Sequence, residues 1–307
     1  MANVKSPIAM IIFNRPDLTE ILFREIARAR PSKLLVIADG PRAGRAGEAK
    51  RVAETRAILD RVDWDCEVLR CFSDVNLGCK KRVSSGISWI FDQVEEAIIL
   101  EDDCIPDPTF FQFCDEMLAK YRNDPKVMMV AGSSFLGDDA PKDQSYYFSH
   151  IPLIWGWATW RRAWRTYDVT AEGWPKFRGS SKYSELFAAS ATRRHYTRQI
   201  DRTYAGEIDT WDVQWSYCVW RQGGFCVNSA VNLIQNLGFG PGATHTHFYD
   251  AIFDPPIRPM TFPLLPPKSQ TPERELDGIW QGRHYSLASK IRRRLRSYVQ
   301  RAAGAFQ

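Results

Sequence analysis

The fold is decided by IAMIIFNRPDLTEILFREIARARPSKLLVIADG, residues 8–40. An apolar run at 8–14 predicts a buried strand, and a second apolar run at 33–40 predicts another. Between them, residues 16–30 begin with a proline and place apolar side chains at helical spacing, which predicts an amphipathic helix. Strand, helix and strand in this order indicate an α/β fold built on parallel strands.

The same alternation continues along the first half of the chain. Further strands are predicted at 66–72, 97–100 and 127–134, and further helices at 46–61, about 81–95 and 109–121. We therefore expect a doubly wound, mostly parallel sheet. Sheets of this type bind ligands at the carboxyl ends of their strands.

Polar residues follow three of these predicted strands, so we expect a site where the strand ends converge. The Arg15 guanidinium could bind a phosphate or a base, and Asp39 could accept a hydrogen bond from a base or a ribose. The alternative is that these residues only form turns between strand and helix. The polar strand ends are Asn14 and Arg15, Asp39, and Glu101-Asp102-Asp103.

The acidic triplet lies in AIILEDDCIPDPTFFQFC, residues 97–114. Adjacent carboxylates repel one another, and the end of an apolar strand solvates them poorly. A divalent cation bound by hard oxygen ligands would resolve this conflict. The alternative is a solvated acidic turn, in which Asp107 caps the helix that begins near residue 108.

A second charged stretch, DVNLGCKKR at residues 74–82, places Lys80, Lys81 and Arg82 at a predicted helix start. The amino end of a helix favours an anion, so this stretch could bind a phosphate. The alternative is an exposed, charged helix face.

Composition limits the class of protein. The 307 residues are 44% hydrophobic and 25% charged, as in a soluble globular protein. No apolar run reaches the roughly 18 residues of a membrane-spanning helix, and residues 1–16 do not form a convincing signal peptide. Seven scattered cysteines favour a reducing compartment. We expect a cytoplasmic protein, with peripheral attachment to the inner face of the membrane as an option.

Charge and tryptophan divide the chain unevenly. Seven Lys and Arg residues and no acid lie between Arg283 and the end, so the other 282 residues carry a net charge of −2. This balance argues against nucleic acid as a partner. Tryptophans concentrate in LIWGWATWRRAW (153–164) and IDTWDVQWSYCVW (208–220).

We expect a globular domain over residues 1–265. Its nucleotide-binding half would cover 1–135 and its Trp-rich acceptor half 136–265. Residues 266–307 would form a Pro-rich linker and a basic amphipathic C-terminal helix. Such a helix could lie on an anionic membrane surface, or it could pack on the body of the protein.

The motifs, taken in order, resemble those of nucleotide-sugar glycosyltransferases of the GT-A fold. Among these, they look like the N-acetylglucosaminyltransferase I family and its bacterial relatives. The resemblance covers residues 8 to about 247, and the acidic triplet with its flanks is its most specific part. The matching motifs are IIFNRPDLTEIL, VIADG, AIILEDDCIPDPTFF, LIWGWATWRRAW, TWDVQW and NLGFGPGATHT.

The resemblance implies metal-dependent transfer with inversion, from a UDP-sugar or another nucleotide-sugar to a glycan or lipid-linked acceptor. The cofactor would be Mn²⁺ or Mg²⁺. By role, the implied residues are Asp103 and His245 for the metal; Asn14, Arg15, Asp39, Lys80, Glu101 and Asp102 for the nucleotide-sugar; Asp212 as general base, with Asp209 in reserve; and Trp155, Gly156 and Trp157 for the acceptor.

The chain departs from the family pattern at two places. Cys79-Lys80 stands about where the family has a histidine near the phosphates, and TWDVQW has one more residue between its Asp and its second Trp. Two other functions compete with transfer. A catalytically silent sugar-binding or membrane-adaptor domain is one. A sugar nucleotidyltransferase is the other, although it would need a Gly-rich phosphate loop where this chain has Asn-Arg-Pro.

Overall fold

A computed structural model describes residues 4–239 and 255–285. Strands and helices alternate through the first half, and short helices dominate the second. The strands are β1 (Ile8–Ile12), β2 (Lys33–Ala38), β3 (Glu67–Phe72), β4 (Glu96–Glu101), β5 (Cys104–Pro106), β6 (Val127–Ala131), β7 (Tyr146–Ser149), β8 (Trp157–Trp160), β9 (Phe225–Ser229) and β10 (Ile234–Asn236). The helices are α1 (Pro16–Ala29), α2 (Glu48–Ala57), α3 (Cys79–Gln93), α4 (Pro108–Tyr121), α5 (Arg161–Trp164), α6 (Trp174–Arg178), α7 (Ser181–Glu185), α8 (Ser190–Tyr204), α9 (Asp212–Arg221) and α10 (Arg274–Tyr285).

Eight strands form one mixed, mostly parallel sheet in the order β3-β2-β1-β4-β8-β6-β9-β7. The pairs β1–β2, β1–β4, β2–β3 and β6–β9 are parallel, whereas β8 is antiparallel to both of its neighbours and β7 to β9. The predicted α/β class and mostly parallel sheet are confirmed. The short strands β5 and β10 pair separately, next to the acidic triplet.

The sheet separates two hydrophobic cores because successive side chains of a strand point to opposite faces. On β1, Ile8, Met10 and Ile12 join the core that contains apolar residues of α1 and α4. Ala9 and Ile11 join the other core, which contains the apolar face of α3 and most tryptophans of the second half. Both faces of β1 are fully covered, which explains its unbroken apolar sequence.

Several element boundaries differ from the predicted ones. Helix α3 begins at Cys79, two residues earlier than predicted, directly after Gly78 in a positive-φ conformation. The predicted helix at 46–61 divides into α2 and a 3₁₀ turn over Ile58–Arg61. The first two strands end before Phe13 and Asp39, which leaves the predicted site residues in the loops that follow.

The segment 255–285 packs back on the body. Leu265 and Ser145 exchange two hydrogen bonds, and the Glu273 N–H donates to the carbonyl oxygen of Phe148 at 2.8 Å. On α10, the Asp277 carboxylate accepts hydrogen bonds from the hydroxyl of Ser149 and the backbone N–H of His150. The predicted boundary at 265 thus falls inside a segment fastened to β7, and the basic tail 286–307 lies outside the described residues.

Within residues 4–239 and 255–285, every helix is too short or too polar to cross a bilayer.

Candidate functional site

The carboxyl ends of β1 and β4 meet at an ion-paired cluster. The two strands are adjacent and parallel, so the loops that follow them leave the same edge of the sheet. Arg15, after β1, pairs with Asp102 and with Asp103, the latter at 3.0 Å between Nη1 and Oδ2. The predicted convergence of these two strand ends is therefore present in the structure.

The triplet holds more negative charge than its one guanidinium balances. Burial raises the pKa of Glu101, and the charges of Asp103 and Asp102 raise it further. Burial also raises the pKa of Asp102, although Arg15 opposes this shift. The pKa of Arg15 is lowered by its burial, but the two aspartates outweigh that effect and leave it above the ordinary value. Two carboxylates paired with one guanidinium, next to a third carboxyl group whose pKa is raised, form a site suited to additional positive charge.

The segment after β10 covers Asp103. The Leu237 N–H donates to the Asp103 carbonyl oxygen at 2.8 Å, and Gly238 lies so close that a Cβ there would collide with the Asp103 carboxylate. Phe239 packs edge-on against Trp155, with ring centroids 5.6 Å apart. The late Gly-Phe motif is thus part of the same cluster. His245, the predicted second metal ligand, lies outside the described residues.

Asp39 is buried and fastens the loop that precedes α3. Its carboxylate accepts from the backbone N–H groups of Gly40, Leu77 and Gly78 and from the side-chain amide of Asn76, at 2.9–3.1 Å. A side chain that satisfies four donors within the chain fixes the loop conformation. Its visible role is to place the start of α3 beside the end of β2.

A second ion pair lies behind Asn14. The Asn14 amide donates to Glu48 at 2.9 Å, and Glu48 also pairs with the guanidinium and backbone N–H of Arg42. The hydrogen bonds from Arg42 lower the pKa of Glu48 to about 2. The sequence reasoning missed Arg42 and Glu48, since a loop arginine six residues before a helix-start glutamate is not a distinctive pattern.

Asp212 and Asp209 take different places from those of simple helix caps. Asp212 is the first residue of α9, where it accepts a hydrogen bond from the Thr210 hydroxyl and does not cap the helix. The Asp209 carboxylate instead accepts from the N–H groups of Cys79 and Lys80, at 3.0 and 3.1 Å. The anion predicted at the start of α3 is therefore supplied by the chain itself.

Carboxylates from four separate segments lie close enough to Cys79 to act on its thiol. Burial raises the pKa of its thiol to about 12, and four negative charges add to the shift. By decreasing effect, those charges belong to Glu101, Asp209, Asp212 and Asp39. All four are among the residues predicted for the site, with Asp209 as the reserve base, which comes from the loop that leads into α9.

The predicted acceptor residues are mostly core. Trp157 is 1% exposed and stacks on Trp211 with centroids 5.7 Å apart, and Gly156 is buried with φ of 61°. A Cβ on Gly156 would collide with Ile234. This corrects the prediction for Trp157, because a buried side chain stacked on another tryptophan has no open face for an acceptor. Trp155 is half-buried and packs against Phe239, the residue after Gly238.

A scan against models of protein families gave no match, and neither did a search for similar curated proteins. In the part of the chain that the structure describes, no group of three or more His, Cys, Asp or Glu side chains is arranged to hold a metal ion. Asp102 and Asp103 nevertheless present hard oxygen donors on one side of Arg15. A cation there would need further oxygens from its ligand, which is how Mg²⁺ commonly binds with phosphates.

Proposed function

We propose that this chain is a metal-dependent inverting glycosyltransferase of the GT-A type. It would move a sugar from a nucleoside-diphosphate sugar, with UDP as the first candidate, to a hydroxyl of a glycan or lipid-linked acceptor. The observation that carries the proposal is the negatively charged triplet at the end of a central strand, with Arg15 on one side and the Asp212 charge near Glu101. The order of the sequence motifs supports it.

The donor side of the site follows from charge. A nucleoside diphosphate brings at least two negative charges, which a carboxylate-rich site can bind only together with a cation. Asp103 would hold that cation with one carboxylate oxygen, and Arg15 is close enough to share the diphosphate. When bound, Mn²⁺ or Mg²⁺ would neutralise charge on the leaving diphosphate. Glu101 and Asp102 would accept hydrogen bonds from sugar and ribose hydroxyls.

The acceptor side requires a general base. In an inverting displacement, the acceptor oxygen attacks the anomeric carbon while the bond from that carbon to the diphosphate oxygen breaks. The acceptor hydroxyl gives its proton to a carboxylate on the opposite face. Asp212 suits this role because it is partly exposed, is held by Thr210, and does not cap its own helix.

Metal-dependent binding of the diphosphate is the first test. At 100 times its Kd, UDP with Mn²⁺ should stabilise the protein by about 2.7 kcal/mol, which raises Tm by about 5 °C in a chain of this size. The variant Asp103→Asn should lose this rise, while Asp63→Asn, at an exposed site away from the cluster, should keep it. If UDP raises Tm equally with and without Mn²⁺, a metal-dependent donor site is excluded.

Transfer is the second test. A panel of nucleotide-sugars with neutral and acidic sugar acceptors should give transfer by the wild-type protein. Asp212→Asn should lower the rate by about 10²–10⁴-fold with UDP binding intact. Loss of UDP binding in this variant would make Asp212 structural. Wild-type binding without transfer to any acceptor would favour the silent sugar-binding function.

A further inference from the structure

A groove of about 460 Å³ runs along α3, within the range of small-molecule sites. One wall is a row of polar side chains at positions 80, 84 and 88, with 81 and 85 beside it. Residues four apart on a helix lie above one another, so these form one continuous polar face. Tyr167 and Val169 form the opposite wall, and Asp209 lies at the end near the start of α3.

Two lysines bring positive charge to the groove. Among the described residues, neither Lys80 nor Lys81 has a carboxylate within 4.0 Å of its ammonium group. Asp209 is the acidic residue in the lining, and its two oxygens already accept from the N–H groups at the start of α3. Two lysines in the lining, with the one acidic lining residue already hydrogen-bonded, favour an anionic ligand.

The serine hydroxyls add acceptors for ligand hydroxyls. Ser84 donates its proton to the carbonyl oxygen of Lys80 at 2.6 Å, and Ser85 donates to that of Arg82 at 3.3 Å. Because each hydroxyl has one proton and two lone pairs, a hydroxyl that donates to the helix can still accept. A ligand rich in O–H groups matches this wall.

Tyr167 gives the opposite wall a fixed aromatic ring. It stacks on Trp164 with centroids 4.3 Å apart and planes 9° from parallel. Its hydroxyl donates to the carbonyl oxygen of Trp211 at 3.1 Å. Because one face stacks on Trp164 and the hydroxyl is hydrogen-bonded, the ring is fixed and offers an apolar surface to the C–H groups of a sugar. The same hydrogen bond places this wall next to Asp212, the residue after Trp211.

We propose that this groove binds a carbohydrate that carries an anionic group, a carboxylate or a phosphate. Lys80 and Lys81 would bind the anion, Ser84 and Ser85 the hydroxyls, and Tyr167 the ring. As the acceptor site, it would present a sugar hydroxyl to Asp212, and this last step alone rests on the proposed function. Lys80 then belongs to the acceptor and not to the nucleotide-sugar, for which the sequence suggested it.

Ligand-observed NMR titrations test the binding directly, with no donor present. Glucuronate and glucose 6-phosphate should bind at least tenfold more tightly than glucose, and more tightly than inorganic phosphate. The better of the two acidic sugars identifies the anion. Lys81→Gln, at an exposed position, should weaken this binding about tenfold, as expected for loss of one charged hydrogen bond. Lys126→Gln, a matched exposed lysine away from the groove, should change nothing.

Three results would overturn the inference: equal binding of glucose and glucuronate, binding of phosphate as tight as that of glucose 6-phosphate, or no effect of Lys80→Gln and Lys81→Gln. The UDP and Mn²⁺ thermal shift, measured on the same samples, separates this inference from the proposed function. A metal-dependent shift without acidic-sugar binding removes the groove and leaves the donor site. Acidic-sugar binding without the shift supports the groove and contradicts the transferase.

Discussion

Two of the places where the described residues bury carboxylates are built differently. After β4, Asp102 and Asp103 share the single guanidinium of Arg15, and Glu101 lies beside them in the sequence without an ion pair to it. On α10, the Asp277 carboxylate is 3% exposed and accepts hydrogen bonds from Ser149 and His150. Burial raises the pKa in both places, to about 6 for Asp277. The first cluster has more charge than partners, whereas the second is satisfied within the chain.

This difference distinguishes a ligand-binding site from a structural contact between two segments. A carboxylate whose donors all come from its own chain fixes two segments together, here α10 and the end of β7. A cluster with excess charge is stabilised when a cation or cationic ligand arrives, so its cost to folding indicates a binding role. The predictions below test this contrast, beginning with the largest effect.

Removing Arg15, the guanidinium paired with the acidic triplet, should have the largest effect on the free energy of unfolding. Arg15→Met leaves the triplet without a counter-charge, and breaking a buried pair in this way costs about 3–5 kcal/mol. Urea unfolding at pH 7 measures the loss. Arg24→Met, at an exposed i,i+4 pair with Glu20, should cost at most about 0.5 kcal/mol. A loss below about 1 kcal/mol for Arg15→Met would show that other groups compensate the triplet.

The site of Asp277 and His150 should show two opposite dependences of stability on pH. Asp277 has its pKa raised by burial, with Glu273 adding to the shift, so folded protein binds its proton first and stability rises as pH falls from about 6 to 4. His150 has its pKa lowered to about 4 by burial and then by Arg274. The unfolded chain binds that proton first, so its contribution to stability falls between about pH 6.5 and 4. The two effects nearly cancel in the wild-type protein.

Single variants at this site should remove the cancellation. As the pH falls from 6.5 to 4, the free energy of unfolding of Asp277→Asn should decrease by on the order of 2 kcal/mol more than that of the wild type, because only the His150 effect remains. His150→Gln should change by a similar amount in the opposite direction. Urea unfolding at several pH values measures both, and comparison with the wild type cancels the other titrating groups. Parallel pH profiles for all three proteins would contradict the assignment.

Local pattern predicted the frame of the fold and part of the site. Apolar runs located the first four strands, and their order brought Arg15 to the triplet. Contacts between distant residues could not be predicted, because they leave no local signal. Asp209 reaches the start of α3 across 130 positions and Asp277 reaches Ser149 across 128. Trp157 was misassigned because a tryptophan in a core and a tryptophan in a sugar site have the same sequence pattern.

Asp209 is an exposed carboxylate that, like Asp277, accepts its hydrogen bonds from its own chain. Two variants test whether it also holds two segments together. Gly78 has φ of 79° and ψ of 166°, and a Cβ there would lie 2.8 Å from the Asp209 carboxylate. Gly78→Ala should therefore cost about 1–3 kcal/mol by backbone strain and displace Asp209 from α3. Asp209→Asn, which keeps the side-chain shape and one of the two accepting oxygens, should cost less. Amide hydrogen exchange at Cys79 and Lys80 should accelerate in Gly78→Ala; unchanged exchange would mean that Asp209 does not hold these N–H groups.

The reactivity of the Cys79 thiol should respond to the charge of the carboxylates around it, and this is the smallest of the expected effects. Its thiol pKa is raised by burial and then by four carboxylates, so removing one negative charge should lower it by a few tenths of a unit. Asp212→Asn should therefore speed iodoacetamide alkylation of Cys79 at pH 9 by about twofold, because the thiolate is the reactive form. Peptide mass spectrometry measures each cysteine, and Cys66, whose pKa is raised by its own burial and by nearby Asp65 and Glu67, is the internal control. Equal acceleration at both cysteines would indicate local unfolding, and no acceleration at Cys79 would place Asp212 outside the cluster. An increase confined to Cys79 would show that Asp212 shares the electrostatic environment of the triplet, as a general base next to the donor site must.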